Sequence, residues 1–221
     1  MIRAVAAVAL TLAATPALAT ESAAYGDAFV GAFTEACVPE RLSYPGTTAH
    51  AESLGWTATE PAAHPELEAM IGIMQAQMAK DAEELKGEIA YRLYSRAVGD
   101  IPHYLVVTRS SFEIEGLGES GEPDVWTYIG CYLYNFDAEA PIDPAPVTAF
   151  TGKPIAREVD QEGLVSYLWG PPCPLPRTGD TWMTYIDDQS PHKATTGYSG
   201  LMIKFDTSEP DPGEEVPATY C

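Results

Sequence analysis

Hydrophobic and polar positions change period along this chain, and the changes divide it into elements. From Glu21 to Val38 the apolar residues Ala28, Phe29, Ala32, Phe33, Ala36 and Cys37 recur at intervals of three and four. That spacing draws one stripe on a helix, and Pro39 stops it. Tyr44-Pro45-Gly46 reads as a turn, and Thr47 to Leu54 as a short helix ended by Gly55, with Trp56 as an apolar anchor. After a linker from Glu60 to Pro65, a longer helix is expected from Pro65 to about Lys86. Its stripe is Leu67, Met70, Ile71, Met74 and Met78, and Glu66 and Glu68 suit the positive end of the helix dipole.

At Gly87 the period drops to two. Ile89, Tyr91 and Leu93 alternate with polar neighbours as in a half-exposed strand, and Tyr104 to Arg109 is a second strand paired across the turn Gly99-Asp100-Ile101-Pro102. The strongest strand signal is Val125 to Phe136, VWTYIGCYLYNF. It places Val125, Thr127, Ile129, Cys131 and Leu133 on one face and Trp126, Tyr128, Gly130, Tyr132, Tyr134 and Phe136 on the other. Apolar character on both faces marks a central strand covered on both sides. Gly130 inside it signals a close approach by a neighbour. Pro141 to Pro146 reads as a crossing with a turn of helix near Val147 to Thr151, followed by strands at Gly163 to Trp169, Thr181 to Asp187 and Gly200 to Asp206. Helices first and strands afterwards predict an α+β fold, with N-terminal helices packed on a mainly antiparallel sheet of five to six strands.

Residues 1–19, MIRAVAAVALTLAATPALA, combine a basic head at Arg3, an apolar run and an Ala17-Leu18-Ala19 end. This is the pattern of a secretory signal peptide cleaved after Ala19, since a membrane span needs about 20 apolar residues. The expected organisation is a signal peptide at 1–19, one α+β domain at 20–207, and an acidic, proline-rich tail at 208–221. The location expected is periplasmic or secreted, with no membrane anchor after cleavage.

Export changes the reading of Cys37, Cys131, Cys173 and Cys221. An even count in an oxidising compartment predicts two disulfides, with three possible connectivities. Cys37–Cys131 together with Cys173–Cys221 is favoured, because the first pins the N-terminal helix to the central strand and the second tethers the tail. The helix ending in Cys37, the Gly55-Trp56 pair, the long helix and Gly130-Cys131 together resemble small exported proteobacterial proteins of unknown function. That resemblance spans roughly the first two thirds of the mature chain and implies no activity.

With 12 Lys and Arg against 32 Asp and Glu the formal charge is −20, which disfavours nucleic acids and anionic membranes as partners. No carboxylate spacing of a calcium loop occurs, Gly116-Leu117-Gly118 lacks the dinucleotide-binding pattern, and no G-x-S-x-G is present. No cofactor or metal is implied. His50, His64, His103 and His192 are read as surface or capping residues. The one catalytic candidate is the loop carrying Asp187, Asp188 and His192, where carboxylates and an imidazole at a strand end can serve a hydrolase or a metal-dependent enzyme. The aromatic residues Trp126, Tyr128, Tyr132 and Tyr134 can instead line a face for a ligand. The functional expectation is therefore a non-enzymatic binding or accessory module with a protein or small-molecule partner in the cell envelope, with the loop enzyme as the alternative.

Overall fold

The computed structural model describes residues 17–85, 87–114, 124–211 and 213–216. The long helix α1 (Ala17–Cys37) and α2 (Tyr44–Ser53) are followed by a short strand β1 (Thr57–Ala58), a 3-10 turn and α3 (Pro65–Leu85). Strands β2 (Glu88–Val98), β3 (Ile101–Ile114) and β4 (Asp124–Asn135) come next, then α4 (Ala145–Thr151). Strands β5 (Ile155–Gln161), β6 (Leu164–Trp169) and β7 (Thr181–Ile186), helix α5 (His192–Thr196) and β8 (Gly200–Ser208) complete the order.

All the strands join one sheet in the order β1-β2-β3-β4-β8-β7-β6-β5, antiparallel at every step. Two meanders, β1 to β4 and β5 to β8, each run from an outer edge to the centre and meet where Cys131 faces Phe205 and Leu133 faces Ile203. The α+β class and the central place of β4 hold; the expected five to six strands are corrected to eight among the described residues. The additions are β1, two residues long, and β5, whose exposed alternation of charge, IAREVDQ, hides an edge strand. The segment Tyr44-Pro45-Gly46 is the first turn of α2 rather than a separate turn, because Ser43 caps it and its Oγ accepts the Gly46 N–H at 3.2 Å.

Period-two alternation divides the core. On one face Leu105, Val107, Ile129, Cys131, Leu133, Met183, Ile203 and Phe205 pack under α1, α2 and α4, with Phe29, Phe33 and Val147 fully buried against them. On the other face Leu93, Val106, Tyr134, Ile186 and Met202 pack under Leu67, Met70 and Ile71 of α3. Helices therefore lie on both sides of the sheet, rather than being gathered on one. The Cys37–Cys131 disulfide ties the end of α1 to β4 across a sequence separation of 94, with Cα atoms 5.9 Å apart. A cross-link closing a loop of that length stabilises by nominally about 4 kcal/mol, largely through the unfolded chain. It is the one disulfide among the described residues, so the expectation of two is met only in part. Cys173 is not a free thiol, but its expected partner Cys221 lies outside the described residues, as does the end of the tail.

No helix among the described residues is long and apolar enough to cross a membrane.

Candidate functional site

Helix α3 covers its face of the sheet unevenly, and the groove it leaves is the candidate site. Its first turns bury Leu67, Met70 and Ile71, but Ile73 is 41% exposed and Met74 is only half-buried. Short helix α5 stands across from it. Between them Met70, Ile73 and Met74 form one wall, Thr195, Thr196 and Tyr198 the other, and Val106, Tyr132 and Tyr134 the floor, enclosing about 280 Å³. Tyr132 and Tyr134 stack with centroids 6.4 Å apart, and Tyr198 meets Tyr134 edge-on at 5.2 Å. Burial drives the hydroxyls of Tyr134 and Tyr198 above their ordinary range and keeps them protonated.

Beyond the groove the same face opens into a polar and aromatic half. One row across the strands runs from Leu168 to Trp182, Lys204, Tyr132 and Val106. Arg157 lies over the Trp182 ring at 5.0 Å and Lys204 over Tyr132 at 5.3 Å. The Tyr132 hydroxyl donates to Asp206 Oδ1 at 3.1 Å, and Lys204 Nζ reaches Asp206 Oδ2 at 3.1 Å. Burial first, and the Asp206 carboxylate second, keep the Tyr132 hydroxyl protonated. Gly130 lies beneath this cluster. A Cβ there would come within 2.5 Å of Thr108 Oγ1, 2.6 Å of the Tyr132 ring and 2.8 Å of Asp206 Oδ1, which is the close approach its place in a strand implied. Of the four residues expected to form a ligand face, Tyr132 and Tyr134 line the groove. Trp126, 42% exposed, and half-buried Tyr128 lie further along β4, with centroids 6.3 Å apart. Trp126 borders a separate cleft of about 310 Å³ with Asp124, Arg177, Ser208 and Glu209.

In the loop after β7, Asp187, Asp188 and His192 each make separate contacts. Asp187 accepts the Gln189 N–H at 2.8 Å as a turn residue. Asp188 is exposed and bonded to Lys193, whose ammonium holds its carboxyl below the usual range. Lys193 also reaches Glu66 Oε1 at 2.5 Å, and Glu66 accepts from both Ser199 N at 2.8 Å and Ser199 Oγ at 2.6 Å. These contacts lock the start of α3 to the α5–β8 connection. The His192 Nε2 is buried without a hydrogen-bond partner. Asp187 and Asp188 do border a cavity of about 350 Å³ with His64, Glu66, Asp137 and Glu139, where His64 Nε2 lies 3.8 Å from Asp137. Among the described residues no three His, Cys, Asp or Glu are arranged to hold a metal ion.

Sequence reasoning missed two features. Of the α3 methionines expected in a core stripe only Met70 is buried, with Met74 and Met78 half-buried, and the groove arises from the fall in burial after Ile71. His103, expected at the surface, is completely buried. Its ring lies against Phe29, and it bonds Ile101 O at 2.9 Å and the Tyr25 hydroxyl at 3.0 Å. The alternation of β3 carried that signal, since His103 shares its parity with Leu105 and Val107.

No protein-family model, no curated protein and no solved structure matches this chain.

Proposed function

We propose that this chain is an exported, non-enzymatic binding module whose groove between α3 and α5 takes one apolar side chain or ring of a protein or small-molecule partner. The observation that carries this reading is the groove itself: an open, apolar recess with a tyrosine floor and a flexible methionine wall, continuous with a half-exposed face of aromatic and charged side chains. Thioether side chains adapt to the shape of an incoming group, and rigid tyrosines supply area at low entropic cost. At about 280 Å³ the recess lies at the lower end of small-molecule sites, so a single ring or branched side chain fills it. The Lys204–Asp206 pair at its margin supplies the polar contacts that orient such a group. In the same reading residues 1–19 are removed on export, the protein is periplasmic or secreted, and Cys173–Cys221 forms the second disulfide. Its strong net negative charge, −20 for the full sequence, turns it away from nucleic acids.

Photo-cross-linking in the producing cell tests the reading. A benzoylphenylalanine placed at Ile73, on the groove wall, is expected to give a discrete adduct; the same probe at exposed Ala49, on the opposite face, is not. No adduct at residue 73, or equal labelling at both positions, would contradict it.

A further inference from the structure

The outer edge of β2 is incompletely covered. Strand β1 faces only Ser95 and Tyr94, and one further bond runs from Thr59 N–H to Leu93 O at 2.9 Å before the chain turns away at Pro61. Among the described residues no strand pairs with the outer side of Glu88 to Arg92. Because Leu93 points its carbonyl outward, the alternation of an antiparallel ladder points the N–H and C=O of Ile89 and Tyr91 outward as well. Glu88, Ala90 and Arg92 are exposed, and Ile89 and Tyr91 half-buried. Unpaired backbone of this kind is a template for another strand.

We infer that this edge pairs with the same edge of a second copy of the chain, antiparallel about Ala90, joining two sheets into one. A two-fold axis normal to the sheet sets residue i against residue j with a constant sum, and a centre at Ala90 is self-complementary. Ile89 meets Tyr91 of the second copy as a hydrogen-bonded pair, twice over, using the outward N–H and C=O of both residues. Glu88 meets Arg92 of the second copy in the closer, non-hydrogen-bonded positions, again twice. A β-branched residue against an aromatic one and a carboxylate against a guanidinium are both stabilising cross-strand pairs. Ala90 faces itself with no bulk to separate the strands. The window also fits: Thr59 fills the edge beyond Arg92, and β2 begins at Glu88.

The other edge of the sheet lacks this property. On β5 a centre at Val159 sets Glu158 against Asp160, and centres at Glu158 or Arg157 set like charges against themselves. Overall repulsion between two chains of −20 is screened within about 8 Å at physiological ionic strength, so the charges at the edge decide.

Sedimentation equilibrium of the full oxidised chain at physiological ionic strength, with Glu88→Arg, Arg92→Glu and the double exchange, tests the pairing. Each single variant sets like charges opposite each other at both ends and is expected to weaken the dimer about tenfold or more; the double exchange restores it to within about threefold of the parent. Both positions are exposed, and circular dichroism verifies that each variant folds. A parent that stays monomeric at every concentration overturns the inference. So does a dimer indifferent to the single exchanges, or one that the double exchange leaves weak.

Discussion

His103 sits where no charge is welcome, and its hydrogen bonds define its state. The ring donates Nδ1–H to the Ile101 carbonyl, so Nε2 accepts from the Tyr25 hydroxyl, which in turn takes a bond from Asn135 Nδ2 at 2.5 Å. The neutral tautomer satisfies this chain, which ties α1 to β3 and β4. Burial, with a smaller contribution from Arg96, lowers the His103 pKa, and burial raises that of Tyr25 to about 12. The unfolded chain therefore binds the proton more readily, near pH 6.5. The stability from His103 is complete above that pH and is lost as the pH falls through about 6.5 toward the lower folded value. Thermal midpoints followed from pH 7.5 to 5 are expected to fall more steeply for the parent than for His103→Gln. Parallel slopes would show that His103 carries no acid sensitivity.

Elements were readable in proportion to how much their burial pattern depended on their own residues. The helix stripe ending in Cys37 and the two-sided apolar run of β4 were plain, because α1 and β4 are buried by simple periodicities. Strand β5 was missed because an edge strand shows no apolar alternation, and its signal lay in its turn. Glu162 and Gly163 have φ of 49° and 76°, both in the left-handed region, and Gln161 faces Leu164 across them. That is a two-residue turn of the mirror-image type that matches strand twist, and Glu-Gly is a poor but usable form of it. A glutamate in this conformation is strained, whereas asparagine tolerates it. Glu162→Asn is expected to raise stability by about 0.5–1 kcal/mol, moving the thermal midpoint of a domain this size upward by about 2–4 °C per kcal/mol. A lowered midpoint would mean that the glutamate side chain does more than turn. The groove was not readable for a related reason. Its walls come from α3 and α5 and its floor from β3 and β4, so no contiguous pattern encodes it.

At the scale of the whole molecule, two meanders make one sheet, of eight strands among the described residues, with helices on both faces, and α3 and α5 leave part of one face open. The strand parity of Tyr132 and Tyr134 announced an aromatic face; the fold decides that these two form a floor while Trp126 and Tyr128 stand apart. The loop of Asp187, Asp188 and His192 contributes hydrogen bonds and ion pairs that hold α5 beside α3, and so shapes the groove wall. The central claim is that the groove is a binding surface, and its methionines report on it directly. The chain has six methionines; Met70 and Met74 line the groove, while Met183 is buried in the opposite core. With ¹³C-methyl methionine and indole as an apolar probe, saturable shifts are predicted at Met70 and Met74, with Met183 unmoved and the response abolished by Met74→Glu. Shifts absent from the groove methyls, or spread equally to Met183, would contradict the account.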